Sequence, residues 1–519
     1  MTDVGLGSWP RRRARISPHG VAFRQGDRTR AYAELADRVD RLAAGLAARG
    51  VRKGDRVAYL GPNDIATFET FFAVLHLGAI FVPLNTRLSA PELAYMLDDS
   101  GSHTLVYAAQ TADLAAAAGE LAHTPPAFIA CEGAARVREA ADYETLQAHP
   151  ATGPRLADVA LEDPALILYT SGTTGRPKGA VLSHGNLTFN TMNQLAHTDV
   201  LGSDVVLCMA PLFHVTGLGL VSMPTFFKGG TIVLVPKFDP AWVFDAIARE
   251  RVVGFAAVPT MLQMLADHPS WDSADMSSMR YVVFGGSPVQ ARVAAAWHQR
   301  GITMLHGYGM TEAAPGIFMS TPDGARERPL AAGVAHFFVD VALDDGTETP
   351  AEPPGRGELL VQGPNVFQGY WGRPHETAAD FDHGWFRTGD VVDVADDGWA
   401  RIVDRVKDMY ISGGENVYPA EVEAAIAQFP GVVDSAVIGV PDALWGEVGS
   451  AFVVCEPGHD LDRAGLLRHL DDRLARYKVP RYLSTVDDLP RTASGKVRKA
   501  QLRIQDDTED ARPSPEDTS

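Results

Sequence analysis

The sequence predicts an α/β protein: a large N-terminal domain of helix-flanked β-sheets, a small β-barrel-like subdomain, and a small α+β C-terminal domain joined by a hinge. Three observations lead to this prediction. The chain of 519 residues is too long for one compact domain. Helix-like and strand-like patterns alternate through its first part, and short β-like pieces punctuated by Gly and Pro follow before a separate C-terminal stretch.

The alternation of helix and strand starts near the N-terminus. From residue 32 to residue 49, Ala and Leu recur at three- and four-residue spacing, and Gly50 is placed to end the helix. Residues 56–60 then indicate a short strand. The same alternation continues at residues 71–82, 93–106 and 244–257. This pattern is typical of parallel sheets flanked by helices.

The C-terminal part of the chain has a different pattern. Residues 333–361 are divided by Gly and Pro into short β-like pieces, which indicate a small barrel or sheet. We expect an N-terminal domain at residues 1–406 and a C-terminal domain at residues 407–505. The latter contains candidate strands at 435–440 and 450–454 and candidate helices at 421–428 and 463–476. Residues 506–519 are acidic and rich in Pro and Ser, so we expect a disordered tail.

Composition excludes several classes of protein. A formal net charge of -19 argues against general nucleic-acid binding, which needs a broad basic surface. The basic cluster at residues 11–15 is not followed by the apolar segment of a signal peptide. The longest apolar runs are too short to span a bilayer. Three widely spaced cysteines indicate reduced thiols, so we expect a cytoplasmic enzyme without stable membrane insertion.

The segment at residues 169–179 carries the strongest chemical signal. It follows an apolar strand and combines glycines, hydroxyls and the cations Arg176 and Lys178. Glycines let backbone N–H groups close around an anion, hydroxyls donate to phosphate oxygens, and Lys178 supplies a point charge. Since Gly179 follows the lysine, the segment is not the P-loop of kinases and GTPases. The expected polyphosphate-binding residues are Thr170, Ser171, Gly172, Thr173, Thr174 and Gly175.

A second motif at residues 306–312 offers an aromatic ring, glycines, a hydroxyl and a carboxylate. In this order the two motifs resemble those of the adenylate-forming superfamily, which includes acyl-CoA synthetases, carrier-loading adenylation domains and beetle luciferases. The resemblance implies that Tyr308 packs on adenine, that Thr311 contacts the α-phosphate and that Glu312 helps to hold Mg²⁺, which prefers hard oxygen ligands. It also implies a metal contact for Thr173 and nucleotide contacts for Gly286, Ser287, Gly307 and Gly309.

Two later segments fit the same resemblance. Asp390 matches a ribose-binding carboxylate, which can accept hydrogen bonds from both hydroxyls, and Arg405 matches an arginine that reaches the same sugar. Lys496 matches the lysine that bridges the acid and the α-phosphate during adenylation. Fixed positive charge there lowers the barrier because two anions must react.

Adenylation and thioester formation need different groups around the α-phosphate. The resemblance implies that the C-terminal domain rotates between the two steps, with Lys407 as the hinge. Ser412, Gly413 and Gly414 match the loop that lines the tunnel for the pantetheine arm of coenzyme A. Plant coumarate ligases carry lysine at the position of Ile411, so their polar contacts do not transfer directly to this chain.

The acid-binding residues are expected from their position in the resemblance. They are His214, Thr216, Gly217, Gly285, Met310 and Ala314, with His214 beside the substrate carboxylate. Malonate-type ligases carry an arginine directly before the residue that corresponds to Tyr308. This chain has no arginine at that position, which disfavours a dicarboxylate as the substrate. Gly217, Gly219, Gly285 and Gly286 are interpreted as leaving room for a sizeable apolar acid, whether fatty, cinnamate-like or polycyclic.

These features together predict an ATP-dependent acyl-CoA ligase that uses Mg²⁺ and joins a carboxylic acid to coenzyme A. Lys496, Lys178, Thr311 and His214 are the expected catalytic residues. Loading of a carrier-protein thiol stays open as an alternative, as do a luciferase-like oxygenase and a homodimeric state. A non-enzymatic scaffold would require a lost motif, and none is lost.

Overall fold

The computed structural model describes residues 3–135, 137, 139–151, 158–170, 177–286, 289–329, 331–346, 349–412, 415–442, 445–491 and 497–508. The chain divides into two compact units. Residues 1–341 and 361–386 form the first unit, and residues 342–360 and 387–519 form the second. The division predicted at residues 406 and 407, with its hinge at Lys407, stays a prediction.

A nine-stranded sheet forms one half of the first unit. Six of its strands run parallel, and antiparallel strands complete both edges. In spatial order the strands are Val334–Ala335, Gly316–Met319, Thr303–Gly309, Tyr281–Phe284, Gly254–Ala257, Val205–Cys208, Thr231–Leu234, Val21–Gln25 and Arg28–Ala31. The carboxyl ends of parallel strands meet at one edge of a sheet, which is where such folds bind ligands.

A seven-stranded sheet forms the other half. Its strands are parallel except for the last, which turns back antiparallel to its neighbour. In spatial order they are Ala141–Asp142, Ala127–Ala130, Thr104–Tyr107, Arg56–Leu60, Ile80–Leu84, Pro164–Thr170 and Lys178–Ser183. Because the inner strands are covered on both faces, they are almost continuously apolar, as Ile80–Leu84 shows by being buried throughout.

Helices flank both sheets, as the alternating pattern predicts. The predicted first long helix is Tyr32–Ala48, and Gly50, two residues after its end, has a φ of 99° that suits glycine. The remaining α-helices of this unit are Trp9–Ile16, Ile65–His76, Ala90–Ser100, Ala112–Leu121, Tyr143–Gln147, His184–His197, Met223–Lys228, Pro240–Glu250, Pro259–Ala266, Ala291–Gln299, Gly324–Glu327 and Pro374–Ala379. Short 3-10 helices lie at Leu6–Ser8, Ala109–Thr111 and Thr311–Ala313, and a π-helix at Gly217–Ser222.

The predicted small β element is a five-stranded sheet. Its strands are Asp340–Asp344, Gly355–Gln362, Phe381–Asp382, Trp385–Val394 and Ala400–Arg405. A second five-stranded sheet belongs to the second unit and contains Tyr410–Ser412, Glu415–Val417, Val432–Asp442, Gly446–Cys455 and Tyr482–Thr485. The helices of that unit are Pro419–Ile426, Arg463–Asp471, the 3-10 helix Arg476–Lys478 and Lys499–Thr508. The α/β fold class is confirmed.

The C-terminal helix and the cysteines can be compared with the predictions made from the sequence. Helix Lys499–Thr508 extends three residues into the expected tail, and residues 509–519 lie outside the described part of the chain. None of the three cysteines forms a disulfide; Cys131 and Cys208 are buried, whereas Cys455 is half-buried. Across the described ranges, every helix is too short or too polar to cross a membrane.

Candidate active site

Lys178 lies at the start of a strand that pairs with the strand before the predicted phosphate-binding segment. Thr170, at the end of strand Pro164–Thr170, lies opposite Lys178, at the start of strand Lys178–Ser183. This antiparallel pairing brings together the two ends of the predicted phosphate-binding segment. The predicted residues between them, Ser171, Gly172, Thr173, Thr174 and Gly175, lie outside the described part of the chain.

A short segment at residues 367–371, here called the bridging segment, runs beside the Lys178 strand. Its backbone exchanges hydrogen bonds with that strand, including Val181 N to Gly369 O at 2.9 Å and Trp371 N to Gly179 O at 2.8 Å. At its start, Phe367 N donates to the carbonyl oxygen of Glu312 at 2.7 Å. The bridging segment therefore connects the strand of Lys178 with the 3-10 helix of Glu312.

Tyr370 of the bridging segment contacts both Lys178, which is predicted to bind phosphate, and Glu312, which is predicted to hold magnesium. Its hydroxyl donates to Glu312 Oε1 at 3.0 Å. The Lys178 ammonium nitrogen lies 5.0 Å from the centroid of the Tyr370 ring, within the range of a cation–π interaction. Thus the structure brings the predicted Lys178 and Glu312 to one tyrosine that the sequence analysis did not single out.

Lys178 is also paired with a carboxylate. Its Nζ lies 2.5 Å from Glu376 Oε2, and its side chain is only 17% exposed. The hydrogen bond from Lys178 holds the pKa of Glu376 below its usual value. The Lys178 ammonium thus lies between a carboxylate and an aromatic face, and its positive charge can attract a polyphosphate.

The carboxylate of Glu312 fits a magnesium ion that arrives with a nucleotide. No group of three or more His, Cys, Asp or Glu side chains that could hold a metal is found within the described ranges. Mg²⁺ bound with nucleotides uses one or two carboxylates together with phosphates and water. Glu312, steadied by the Tyr370 hydroxyl, is the kind of single hard ligand that this mode requires.

Two neighbouring strand ends form the predicted nucleotide side of the site. Strands Tyr281–Phe284 and Thr303–Gly309 run parallel, and a Cβ on Gly285 would lie 2.4 Å from the carbonyl oxygen of Gly307. A Cβ on Gly309 would lie 1.7 Å from Pro315 O. Tyr308 is half-buried, and its ring centroid lies 5.9 Å from that of Phe318. Glycine is therefore required at positions 285 and 309, where the neighbouring backbone leaves no room for a Cβ atom.

Two buried asparagines hold the loop at residues 313–316, here called the acid loop because it contains the predicted acid-binding residue Ala314. Asn365 Nδ2 donates to Ala313 O at 2.9 Å and to Gly316 O at 2.8 Å. Asn190 Oδ1 accepts from Gly316 N at 3.2 Å. Ala314 has a φ of 64°, a left-handed conformation that costs a residue with a side chain about 1–2 kcal/mol. The asparagines offset that cost by satisfying the loop backbone.

The other predicted acid-side residues lie before and within the π-helix. His214 and Thr216 are half-buried, and the His214 ring lies 4.9 Å from that of Phe213. Asn190 Nδ2 donates to Gly219 O at 3.0 Å, so one asparagine binds both the π-helix and the acid loop. Single π-turns often occur at functional sites.

The interpretation of several glycines as open space is wrong. A Cβ on Gly217 would lie 2.4 Å from Pro211 O, and one on Gly219 would lie 2.7 Å from Pro315 Cδ. Gly285 is equally crowded by Gly307. Only Gly286, with a φ of 91°, faces open space among these four described glycines. Close backbone packing, which a sequence does not distinguish from a cavity, explains the other three.

His306 is the first residue of the motif at residues 306–312, and its side chain is buried. Its ring stacks on Phe284 with centroids 4.8 Å apart, and its Nδ1 lies 3.0 Å from Ala331 O. Burial lowers the pKa of His306 to about 4. The side chain is therefore neutral near pH 7.

The second unit contains the predicted ribose pair. Asp390 and Arg405 lie opposite each other in neighbouring strands, with Arg405 Nε 2.5 Å from Asp390 Oδ1. The adjacent Asp404 accepts from Arg405 N and Ala420 N, both at 2.7 Å, yet burial raises its pKa to about 6. Ser412 is buried at the end of its strand. Ser287, Gly413, Gly414 and Lys496 lie outside the described residues.

Comparison with known proteins shows the family to which the chain belongs. The AMP-binding enzyme family matches residues 10–371, and the AMP-binding enzyme C-terminal domain matches residues 421–496. The chain belongs to the AMP-binding enzyme family. It is an adenylate-forming acid–thiol ligase, as its motifs predict.

Relatives of this AMP-binding enzyme match over nearly its whole length. Feruloyl-CoA synthase of Amycolatopsis sp is 50% identical over 97% of this chain and 99% of its own. Indoleacetate–CoA ligase of Aromatoleum aromaticum is 40% identical over 96% and 97%. The structure of ATP-bound MatB from Rhodopseudomonas palustris superposes with a TM-score of 0.88 at 35% identity, covering 97% of this chain and 99% of that one.

The sequence of this AMP-binding enzyme did not indicate a role in the site for Tyr370, Glu376, Asn190 or Asn365. Tyr370 follows Gly369 in a segment that looks like a turn, and the asparagines lie in an amphipathic helix and a Gly/Pro stretch. No local pattern distinguishes them from surface residues. The buried face of helix His184–His197 is itself mostly polar, so no apolar stripe in the sequence marks Asn190 as buried.

Proposed function

We propose that the enzyme converts an aryl carboxylic acid, ATP and coenzyme A into an aryl-CoA thioester, AMP and pyrophosphate. In the first step a carboxylate oxygen attacks the α-phosphorus, and pyrophosphate leaves. In the second step the thiol sulfur attacks the acyl carbonyl carbon, the thiol proton is lost, and AMP leaves. Lys178 would support the first step by attracting the phosphates. Glu312 would support it by offering a hard oxygen ligand to magnesium.

The observation that carries this proposal is the convergence of Lys178 and Glu312 on Tyr370. The two predicted phosphate-site residues are far apart in sequence, and a purely structural role would not require an ammonium and a carboxylate at one tyrosine. Magnesium bound with ATP would supply positive charge beside the phosphates, and Glu312 is the described residue proposed to hold it. Asp390 and Arg405 are the groups proposed for the ribose hydroxyls.

Two observations favour an aryl monocarboxylic acid. Relatives named for feruloyl and indoleacetate substrates share 50% and 40% identity with nearly the whole chain. In addition, Gly307 precedes Tyr308 where malonate-type ligases place an arginine, so a second carboxylate would be desolvated without that counter-charge. Because the backbone packs tightly around Gly217 and Gly285, these glycines do not themselves make room for a large acid.

ATP–pyrophosphate exchange with a panel of acids tests the proposal. Ferulate and cinnamate are expected to drive exchange at least about tenfold faster than malonate, because binding energy in the acid site appears as discrimination in kcat/KM. A long-chain fatty acid distinguishes an aryl site from a general apolar site. Fastest exchange with malonate or with the fatty acid would contradict an aryl substrate.

The acceptor is tested separately with the best acid of the panel. Thioester formation is measured with coenzyme A and with a phosphopantetheinylated carrier protein at equal thiol concentration. We expect coenzyme A to be the faster acceptor. A carrier preference would support the alternative of a carrier-loading enzyme while leaving the adenylation proposal intact.

A further inference from the structure

Tyr370 contacts the two groups that the proposed adenylation assigns to magnesium and phosphate. It follows Glu312 by 58 residues, so its contact with that carboxylate is a product of the tertiary fold. Its hydroxyl proton points to Glu312 Oε1, and its ring faces the Lys178 ammonium.

The backbone around Tyr370 is held on three sides. Its N–H donates to Thr377 Oγ1 at 2.9 Å, and Tyr370 forms a β-bridge with Ala180 of the Lys178 strand. The ring also packs edge-on against Phe367, with centroids 4.9 Å apart. These contacts fix the ring independently of its hydroxyl, so removing the hydroxyl should leave the ring in place.

The Tyr370 hydroxyl is the donor in its hydrogen bond with Glu312. An ionised carboxylate oxygen only accepts hydrogen bonds, so the phenol proton is directed toward Glu312 Oε1. Metal-binding carboxylates are commonly oriented by such a donor, and losing the donor typically weakens metal affinity by about 10- to 100-fold.

We propose that Tyr370 is a positioning residue for adenylation: its hydroxyl orients the Glu312 carboxylate toward magnesium bound with the nucleotide, and its ring places the Lys178 ammonium. This inference rests on the proposed function. It assigns to Tyr370 a role in the binding of magnesium–ATP and none in transfer of the acyl group to the thiol.

Calorimetric titration with a non-hydrolysable ATP analogue tests the role of the hydroxyl without relying on turnover. Each protein is titrated in excess MgCl₂ and again in EDTA. In the wild type, magnesium should tighten binding. In Tyr370→Phe this magnesium-dependent gain should fall by about tenfold while affinity in EDTA is unchanged, because only the orientation of Glu312 is lost. An unchanged gain in Tyr370→Phe would overturn the inference alone.

Tyr143→Phe is the matched control for losing a tyrosine hydroxyl beside a buried carboxylate. The Tyr143 hydroxyl lies 3.4 Å from Glu69 Oε2 in the same unit, away from Lys178 and Glu312. This variant should retain the wild-type magnesium-dependent gain. A wild type that binds no nucleotide in either buffer would instead overturn the proposed function, and the inference with it.

Two further variants separate the ring from the hydroxyl. In a Glu312→Gln background, Tyr370→Phe should cause no additional loss of the magnesium-dependent gain, because the hydroxyl then has no metal-binding carboxylate to orient. Tyr370→Leu should also weaken binding in EDTA by several-fold, since the cation–π contact with Lys178 is lost. A full additional loss in the Gln background would show a general structural role and contradict the inference.

Discussion

At the scale of single residues, the described part of the site depends on polar side chains that each satisfy two partners. Tyr370 contacts Glu312 and Lys178, and Asn190 binds both the π-helix and the acid loop. Asn365 provides both protons of its amide to carbonyls of that loop. Buried polar groups with two partners are costly to replace, because each substitution leaves more than one group unsatisfied.

Replacing Asn365 with alanine should therefore destabilise the first unit and impair acid binding. The change leaves the carbonyls of Ala313 and Gly316 without their donor in a fully buried place, at a cost of about 2–4 kcal/mol. We expect a lower free energy of unfolding in urea and a raised KM for the acid. The KM for ATP should rise less, since the loop is proposed to line the acid side.

Asn85→Ala provides the matched control for the Asn365 variant. Asn85 Oδ1 accepts from Arg87 N at 2.9 Å in an exposed turn, where water replaces the lost partner. We expect a loss of stability below about 1 kcal/mol and no change in KM. Equal losses in the two variants would argue against a special role of Asn365.

At the scale of elements, the site is built where strands end and neighbouring backbones approach each other closely. Helix and strand positions in the first unit follow the sequence patterns, because periodicity and capping are local. The predicted strand 56–60 is Arg56–Leu60, and the predicted C-terminal strands fall within Val432–Asp442 and Gly446–Cys455. How closely the turns after those strands pack could not be predicted from the same patterns.

Gly309 and Gly307 provide a paired test of that packing. Both lie in strand Thr303–Gly309, but a Cβ at position 309 would lie 1.7 Å from Pro315 O, whereas one at position 307 would have no neighbour closer than 3.7 Å. Gly309→Ala should lower the free energy of unfolding by more than about 2 kcal/mol, because backbone must move to admit the methyl group. Gly307→Ala should remain within about 1 kcal/mol of the wild type.

Urea unfolding followed by tryptophan fluorescence measures both glycine variants. If Gly307→Ala lost as much stability as Gly309→Ala, the sequence motif itself would matter more than the space around each glycine. A nucleotide titration on folded Gly307→Ala then shows whether that position has a separate role in binding.

At the scale of the whole molecule, the two units contain buried groups that respond to pH in opposite directions. In the first unit, burial lowers the pKa of His76, His184 and His306 to about 4 and that of His336 to about 3. In the second unit, burial raises the pKa of Asp404 to about 6. Each unit is therefore expected to have its own dependence of stability on pH.

Acidification should weaken the first unit. The unfolded chain protonates its histidines near pH 6.5 while the folded unit keeps them neutral to about pH 4, so stability present above pH 6.5 is lost as pH falls through this window. Asp404 has the opposite sign: its contribution is complete below about pH 4 and is lost as pH rises through 6. Each group is worth on the order of 3 kcal/mol at most, and His336 on the order of 5 kcal/mol.

Calorimetric unfolding at pH 7, 5.5 and 4.5 checks this prediction. We expect the transition of the first unit to move to lower temperature with acid. Asp404→Asn should remove the opposing acid stabilisation of the second unit, because the amide does not titrate in this range. A transition of the second unit that shifts identically in the wild type and in Asp404→Asn would contradict the assigned pKa of Asp404.

The sequence by itself determined the α/β class, the main helices and strands and the family motifs, because these depend on periodicity and residue type over short spans. Only the tertiary structure decided that Tyr370 joins Lys178 to Glu312, that Asn190 and Asn365 hold the acid loop, and that Gly217 and Gly285 serve close packing. Those contacts join segments far apart in the chain, and their geometry comes from how the strand ends and loops pack together.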